Sequence, residues 1–327
     1  MTEPLVSIRD LAVHFPILRG FLGRATGLLK AVDGVDLDIA PGESLALVGE
    51  SGSGKSTLGG TLVGMQTPTE GLIRFDGKDL RTDGSDAKNR TRDIQIVFQD
   101  PVSALNPRMN IGDSIAEPLS IHRVGTVAER RARVAELLSL VGLNPAHADR
   151  KPNAFSGGQR QRIVIARAIA LQPKLLVLDE PVSALDVSIR SQILNLLLEL
   201  QQRFGLSYLF ISHDLSVVRH FADRVAVMYL GRIAETGPTA DVFARPTHPY
   251  TEALLSAVPL PDPVAQRQRQ RIILQGDLPS PANPPSGCRF STRCPIAEPI
   301  CREVSPLLRP ARAMHQAACH LRHTADI

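Results

Sequence analysis

The stretch Gly49-Glu50-Ser51-Gly52-Ser53-Gly54-Lys55-Ser56-Thr57 stands between a short apolar run and a predicted helix. The run, Ser44 to Val48, is bounded by glycine and is typical of a buried central strand. The helix is predicted over Ser56 to Val63. The stretch therefore fits the pattern G-x-x-x-x-G-K-[ST] in the strand-to-helix setting that this pattern requires, and we call residues 49–57 the phosphate loop.

The residue types of the phosphate loop suit the phosphates of a nucleotide. Glycines let successive backbone N–H groups curl around phosphate oxygens, and the helix N-terminus adds the positive end of its dipole. Lys55 supplies a positive charge to the β- and γ-phosphates, and the Ser56 hydroxyl can bind Mg²⁺. A merely flexible loop is the alternative, and the complete pattern argues against it. The predicted nucleotide-binding residues in this loop are Gly49, Ser51, Gly52, Ser53, Gly54, Lys55, Ser56 and Thr57.

A second apolar strand, predicted over Leu175 to Leu178, ends in the carboxylate pair Asp179 and Glu180. In open α/β sheets, ligands bind at the carboxyl ends of the strands. There Asp179 can hold Mg²⁺, and Glu180 can act as the general base that polarises an attacking water. Acidic residues after an apolar strand are common at ordinary loops, so this pair gains weight only beside the phosphate loop.

Upstream of the carboxylates, Phe155-Ser156-Gly157-Gly158-Gln159 opens a predicted helix with Ser156 as its N-cap. A hydroxyl, glycine N–H groups and a helix N-terminus together form a second anion site. Here the sequence resembles the ABC ATPase family, whose signature is usually written LSGGQ. The resemblance implies that residues 156–159 cap the γ-phosphate bound by the other subunit of a head-to-tail dimer. Taken alone, the motif would be a plain N-cap followed by flexible glycines.

Other positions match the same family in order along the chain, over about residues 5 to 240. The resemblance implies that Gln99 contacts Mg²⁺ and links the site to a transmembrane partner, and that His213 contacts the γ-phosphate. Asp186, at the end of Ser183-Ala184-Leu185-Asp186, belongs to a loop that communicates across the dimer in this family. Phe15 resembles the aromatic residue on which adenine stacks, with a place in the core as its alternative.

Strands and helices alternate along most of the chain, which favours an α/β fold with a mostly parallel sheet covered on both faces. The resemblance implies a P-loop NTPase ABC cassette over residues 1–245, with a RecA-like core and a helical subdomain at about residues 105–165. Residues 246–327, which we call the C-terminal extension, are predicted to form a small irregular appendage. Between two early strands, Pro16 to Lys30 is predicted to be an exposed loop.

Two stretches of the C-terminal extension resemble the oligopeptide and dipeptide importer subfamily of ABC proteins, within the peptide/nickel family. They are Pro246-Thr247-His248-Pro249-Tyr250-Thr251 and Leu274-Gln275-Gly276-Asp277-Leu278-Pro279-Ser280-Pro281. This resemblance implies that His248 is a structural turn residue rather than a ligand.

All four cysteines lie in the extension, at Cys288, Cys294, Cys301 and Cys319. In a cytoplasmic protein such clustering indicates metal or redox chemistry rather than structural disulfides. Four thiolates fit a [4Fe-4S] cluster or a structural Zn²⁺, and the absence of a C-x-x-C pair makes zinc less natural. The subfamily resemblance favours the iron–sulfur cluster, with a stabilising role. Four free thiols are the third alternative.

The composition is that of an ordinary globular protein, with 43% hydrophobic and 21% charged residues in a chain of 327. No apolar run approaches the roughly 18 to 20 residues that span a bilayer, and the first residues lack the features of a signal peptide. A cytoplasmic location is therefore expected. The formal charge of +4 is too small to indicate a nucleic-acid partner.

Together these features predict the ATP-hydrolysing subunit of an ABC importer for di- or oligopeptides. The predicted partners are a second ABC ATPase subunit of different sequence, two integral membrane permease subunits and an extracytoplasmic substrate-binding protein. The chain would then be a peripheral protein on the cytoplasmic face of the cell membrane. Import of nickel or glycosides, a non-transport ABC ATPase of translation or DNA repair, and an iron–sulfur regulatory protein are the alternatives.

Overall fold

In the computed structural model of the protein, residues 3–19, 24–80, 90–259, 267–268 and 271–322 are described. The chain forms two compact units. The first unit comprises Met1–Ile39, Glu43–Arg81 and Ile211–Ile327, and the second comprises Ala40–Gly42 and Thr82–Phe210. The phosphate loop and the C-terminal extension belong to the first unit, and both the carboxylate pair and the signature motif belong to the second.

The helices and strands follow one another in an order close to that predicted. In chain order they are β1 (Val6–Arg19), β2 (Arg24–Ile39), β3 (Ser44–Val48), α1 (Lys55–Leu62), β4 (Glu70–Phe75), β5 (Lys78–Asp79), β6 (Ile94–Val97), α2 (Ile111–Ile121), α3 (Val127–Leu140), α4 (Gly157–Ala168), β7 (Leu175–Asp179), α5 (Val187–Phe204), β8 (Ser207–Ser212), α6 (Leu215–Phe221), β9 (Arg224–Tyr229), β10 (Arg232–Pro238), α7 (Thr239–Ala244), α8 (Pro249–Ser256), α9 (Pro299–Glu303), β11 (Arg309–Arg312) and β12 (His315–Ala317).

The first unit contains an antiparallel sheet of order β2-β1-β4-β5 and a second group of strands in the order β11-β12-β10-β9-β3. In that second group, β3 and β9 are parallel, while β10, β12 and β11 pair antiparallel. The strands β11 and β12 come from the C-terminal extension. The extension therefore adds two strands to the sheet that contains the strand before the phosphate loop.

The predicted loop from Pro16 to Lys30 is wrong, because β1 and β2 continue through it as a long antiparallel hairpin. Pro16 lies opposite Leu28, and the pairing extends to Arg19 opposite Arg24. The partner strand β4 pairs with β1 only as far as Ala12. Proline lacks the N–H that would donate to a neighbouring strand. Because β4 does not pair with β1 at Pro16, no hydrogen bond to β4 is lost there, and the strand tolerates the proline.

The second unit places strands β8, β7 and β6 side by side, with β6 and β7 parallel. Its helices α2, α3 and α4, together with two short 3₁₀ turns, account for most of residues 105–165, the region predicted to be a helical subdomain. The strand residues Leu175–Leu178 are fully buried, as are all five residues of β3 in the first unit. The predicted α/β fold class is confirmed.

No helix in the described ranges is both long and apolar enough to cross a membrane.

Candidate nucleotide-binding site

The phosphate loop joins the buried strand β3 to helix α1, as predicted. Helix α1 begins at Lys55, and its N-cap is Gly54, with a left-handed φ of 105°. Because glycine has no side chain, Gly54 makes no side-chain hydrogen bond to the start of the helix. The loop and the helix N-terminus together therefore present backbone donors suited to phosphate oxygens.

Two glycines of the phosphate loop lie so close to neighbouring backbone that no other residue would fit. A Cβ atom on Gly49 would lie 2.1 Å from the carbonyl oxygen of Met228, and one on Gly54 would lie 2.0 Å from that of Ala31. Both glycines also have positive φ angles. The loop is thus wedged between strands β2 and β9, which fixes its path.

Lys55 folds back over the loop that precedes it. Its buried Nζ donates to the carbonyl oxygens of Gly49 and Glu50, each at 2.9 Å. Ser53 donates its N–H to the same Glu50 oxygen at 3.2 Å. The ammonium group therefore lies inside the curve of the loop, where a charge for phosphate binding is expected.

In the second unit, the predicted residues Gln99 and Glu180 form a hydrogen-bonded group with Ser183 at the end of strand β7. Gln99 donates from Nε2 to the Glu180 carboxylate at 3.1 Å and to the Ser183 hydroxyl at 3.4 Å. Ser183 in turn donates to the Glu180 carbonyl at 3.0 Å. Asp179 is the last residue of β7. Carboxylate, amide and hydroxyl oxygens are the ligands that Mg²⁺ prefers, so the chemistry of this donor set fits the predicted ion.

Glu180 has an unusual backbone conformation. Its φ is 49°, in the left-handed region that residues with a side chain seldom adopt. Such conformations are costly and cluster at functional sites. The strained turn directs the chain from β7 into the segment that contains Ser183 and Asp186.

The signature motif opens helix α4 with a reciprocal pair of hydrogen bonds. Ser156 is the N-cap, and its hydroxyl accepts from the N–H of Gln159 at 3.3 Å, while the Gln159 side chain accepts from the Ser156 N–H at 3.0 Å. Gly157 and Gly158 follow as the first helical residues. The predicted N-cap is confirmed, and the reciprocal bond from Gln159 was not predicted.

The remaining predicted residues lie at element ends or on the hairpin. His213 is exposed and directly follows β8, and Asp186 is exposed at the N-cap of α5. Phe15 lies on β1, opposite Leu29, and is half-buried. His248 caps helix α8, where its Nδ1 accepts the Tyr250 N–H at 3.1 Å, which agrees with the structural role expected for it.

The prediction of an iron–sulfur site is wrong, and zinc gains no support. In the ranges that the structure describes, no group of three or more His, Cys, Asp or Glu side chains could hold a metal ion. All four cysteines are free. Burial raises the pKa of Cys288 to about 11 and also raises the pKa of Cys294, which favours the protonated thiol over the thiolate that binds metals.

Family models match two parts of the chain. The model described as ABC transporter matches residues 32–183, which include the phosphate loop, the signature motif and the carboxylate pair. The model described as the C-terminal region of oligopeptide/dipeptide transporters matches residues 234–301, most of which lie in the extension. Both parts of the predicted resemblance are thereby confirmed.

Known structures similar to this one are ATP-binding cassettes. The dimeric cassette MJ0796, in a post-hydrolysis state bound to ADP and Pi, has a TM-score of 0.63 at 30% sequence identity; the alignment covers 72% of this chain and 98% of that chain. A second dimeric structure of MJ0796 gives a TM-score of 0.63 at 29% identity, with the same coverage.

Relatives match nearly the full chain. The oligopeptide transport ATP-binding protein AppF of Bacillus subtilis is 52% identical over 98% of both chains. OppF of Salmonella typhimurium, an oligopeptide transport ATP-binding protein, is 51% identical over 96% of this chain and 95% of its own. The di/tripeptide transport ATP-binding protein DppF of Pseudomonas aeruginosa is 49% identical, over 97% and 98%. This chain belongs to the ATP-binding, ATP-hydrolysing proteins of ABC transporters, in the oligopeptide/dipeptide branch of that family.

Proposed function

We propose that this protein is the ATP-hydrolysing subunit of an importer for di- or oligopeptides, and that it energises transport through separate permease subunits. The observation that carries this proposal is the near full-length identity of about half to peptide transport ATP-binding proteins, including the C-terminal extension. The extension matters because the cassette alone is common to ABC proteins with many cargoes.

Within this function, the chain's own residues divide the work of ATP binding and hydrolysis. The backbone N–H groups of the phosphate loop and the Lys55 ammonium bind the phosphates, and Phe15 stacks on adenine. Ser56, Asp179 and Gln99 are the residues that would hold Mg²⁺, and the bound ion would neutralise charge on the phosphate oxygens. The Gln99 contact to Glu180 supports a role for both in one catalytic group.

Glu180 acts as the general base, and His213 contacts the γ-phosphate. The proton of the attacking water passes to the Glu180 carboxylate as the water oxygen bonds to the γ-phosphorus and the β–γ bridging bond breaks. Gln99, through its hydrogen bond to that carboxylate, orients the base. The backbone strain at Glu180 is consistent with a residue held in place for chemistry rather than stability.

ATP also closes a dimer of two cassettes. Residues 156–159 of one subunit cap the γ-phosphate bound by the other, and the loop that ends at Asp186 communicates across the interface. Closure requires that ATP bind the closed dimer more tightly than the open one, and the γ-phosphate contacts supply this difference. Hydrolysis removes those contacts and reopens the dimer.

The other components are a second ATPase subunit of different sequence, two permease subunits in the membrane and an extracytoplasmic binding protein that delivers peptide. The chain binds the permeases on the cytoplasmic face of the membrane near Gln99 and helices α2, α3 and α4. Reconstitution of the complete system in proteoliposomes tests this directly. ATP turnover and uptake should respond to di- and oligopeptides, whereas a response to nickel or glycosides alone would contradict the proposed cargo.

Replacing Glu180 with glutamine tests the catalytic assignment. Glu180→Gln keeps the size of the side chain and removes the base, so ATP turnover should fall by about 10²- to 10⁴-fold, the contribution typical of a general base. ATP binding should persist, and ATP-bound dimers with the second ATPase subunit should accumulate on size-exclusion chromatography when the two subunits are mixed. Full phosphate release by this variant would show that another group is the base.

A further inference from the structure

The second residue of the phosphate loop, Glu50, is held by two side chains of the C-terminal extension. The hydroxyl oxygen of Tyr250 accepts the Glu50 N–H at 2.9 Å, and Arg293 donates to the Glu50 carboxylate at 2.8 Å. The Glu50 carbonyl oxygen accepts from Lys55. The N–H, the carbonyl and the carboxylate of Glu50 are therefore all engaged, and two of the three depend on residues 200 or more positions later in the chain.

Tyr250 is a rigid support for this contact. It lies in the first turn of helix α8, is completely buried, and packs against Tyr229 and Phe290 with ring centroids 4.6 and 5.4 Å away. Burial raises the pKa of its hydroxyl, so the group stays neutral. A buried aromatic ring with so little freedom places its oxygen in one position.

Arg293 is equally constrained. Its side chain is 11% exposed, and it also contacts the Tyr229 hydroxyl at 3.4 Å. Its own N–H donates to Phe290, and the same segment is joined to helix α9 by a bond from the Cys288 N–H to the Cys301 carbonyl at 2.8 Å. The guanidinium group is thus presented to Glu50 by an ordered segment.

Opposite these contacts, the loop is held by the turn between β9 and β10, where the Gly231 N–H donates to the Ser53 carbonyl at 2.9 Å. Phosphate binding needs several backbone N–H groups with fixed directions at the same time. If the backbone of Glu50 were free to rotate, the N–H groups of the phosphate loop would point in a range of directions. Fixing the loop before it binds avoids the entropy cost of ordering it afterwards.

We propose that Tyr250 and Arg293 are positioning residues for ATP, which act by fixing the main chain of Glu50 and so the binding geometry of the phosphate loop. Both side chains are assigned this role through their hydrogen bonds to Glu50. The inference rests on the proposed assignment of residues 49–57 to phosphate binding. It gives the extension a direct part in the ATPase, in addition to any part in transport.

Tyr250→Phe and Arg293→Met each remove one contact to Glu50 while keeping much of the packing. Each should raise the Kd and KM for ATP roughly threefold to tenfold, the effect of one lost hydrogen bond. The phosphate loop binds ATP in the ground state and in the transition state alike. Weaker binding in both states leaves the barrier between them unchanged, so kcat should stay within a factor of about two. Arg293→Lys, which keeps the charge, should recover part of the affinity. The measurements are titration calorimetry with ATP and steady-state ATPase kinetics on the full chain.

Two control variants lose similar contacts elsewhere. Tyr208→Phe removes a buried hydroxyl that donates to the Leu197 carbonyl at 2.7 Å, and Arg322→Met breaks the pair with Glu252 at 2.8 Å within the extension. Both should lower thermal stability without changing the affinity for ATP. If Tyr250→Phe and Arg293→Met behave like these controls, with lower stability and unchanged Kd and KM, the positioning role is excluded.

Lys55→Ala separates the two levels of the proposal. If this variant binds ATP as tightly as the unmodified chain, the assignment of the phosphate loop fails, and the inference fails with it. If Lys55→Ala abolishes binding while both extension variants bind normally, only the positioning role is overturned. Loss of binding in Lys55→Ala together with weakened binding in both extension variants is the expected result.

Discussion

His248 is a titratable residue placed where a charge is unfavourable. Its side chain is buried, and burial lowers the pKa from 6.5 to about 4, while nearby Glu235 opposes part of that shift. Above pH 6.5 the imidazole is neutral in the folded and the unfolded chain alike. As the pH falls from about 6.5 towards 4, the unfolded chain binds a proton that the folded chain does not. The free energy of unfolding should therefore decrease by about 3 kcal/mol across this window.

The comparison variant is His248→Asn, measured by urea denaturation at several pH values. Asparagine is a good N-cap and can accept the Tyr250 N–H in place of the imidazole, but it does not titrate. The difference in unfolding free energy between the two proteins isolates the histidine from all other groups. That difference should change between pH 6.5 and 4 and be constant above it; a constant difference throughout would contradict the buried, neutral histidine.

At the residue scale, short-range contacts were predictable and long-range partners were not. The Ser156 cap follows from its position one residue before a helical pattern. The contact from Gln99 to Glu180 spans 81 positions, and the contact from Tyr250 to Glu50 spans 200. No periodicity or spacing encodes such pairs, because they depend on how separate elements pack. Tyr250 was thus recognised as part of a family motif, while its contact to the phosphate loop required the structure.

Helices α4 and α5 meet at a position where only a glycine fits. A Cβ atom on Gly158 would lie 2.5 Å from the Cγ2 methyl of Ile189. Gly158→Ala should therefore separate the two helices and lower stability by about 1–3 kcal/mol, the usual cost of overpacking. Thermal unfolding measures this directly. In the double variant Gly158→Ala/Ile189→Ala the methyl is gone, and most of the added cost should disappear.

The outcome for the double variant distinguishes packing from ligand binding at this glycine. If Gly158 is required for packing, Ile189→Ala will restore both stability and ATPase activity in the Gly158→Ala background. If stability returns and ATPase activity does not, the extra methyl interferes with the proposed anion site of residues 156–159. No recovery of stability at all would show that the Ile189 contact is not the cause.

At the element scale, the boundaries follow from local rules where those rules act alone. The strand before the phosphate loop was predicted over Ser44 to Val48 and is observed there, because glycine limits it and burial is complete. The hairpin of β1 and β2 was missed, because Pro16 and the glycines nearby are loop signals in isolation. Pairing between the two strands outweighs those signals, as tertiary context often does with strand propensity.

In the first unit, the buried carboxylate of Glu235 joins distant parts of the chain. Glu235 on strand β10 is fully buried and accepts hydrogen bonds from the N–H groups of Thr247 and His248, at 2.7 and 2.9 Å. It also contacts Nε2 of His315 on strand β12 at 2.6 Å. A carboxylate with this many hydrogen-bond partners can be buried. A side chain that accepted from only some of these donors would leave the others without a partner and would lower the free energy of unfolding.

Glu235→Gln should lower the free energy of unfolding by about 2–4 kcal/mol, because the amide NH₂ would face backbone N–H donors without an acceptor. Chemical denaturation of the full chain measures the loss. Glu252→Gln, in a partly exposed pair with Arg322, is the matched control and should cost less than about 1 kcal/mol. Equal losses in the free energy of unfolding for the two variants would mean that the buried Glu235 carboxylate contributes no more to stability than the partly exposed pair.

At the scale of the whole molecule, the sequence predicted the class of fold and the order of motifs, because the motifs are local and each has a required setting. It did not predict that the extension pairs with the same sheet as β3, since strands β11 and β12 are short and weakly patterned. The metal site was predicted from the spacing of the four cysteines, and spacing gives no information on how deeply each thiol is buried. Burial raises the pKa of the Cys288 and Cys294 thiols, which the spacing could not show.

The positions of the Glu235 partners along the sequence also determine when strand β10 can be buried during synthesis of the chain. His315 follows Glu235 by 80 residues, so at ribosomal rates of about 5–20 residues per second it emerges roughly 4 to 16 s later. Until then strand β10 cannot be buried without leaving its carboxylate short of a donor. Tyr250 and Arg293 emerge within the same interval. A nascent chain that already contains every motif of the cassette must therefore wait for Arg293 before the phosphate loop has its final support, and for His315 before Glu235 has all its partners.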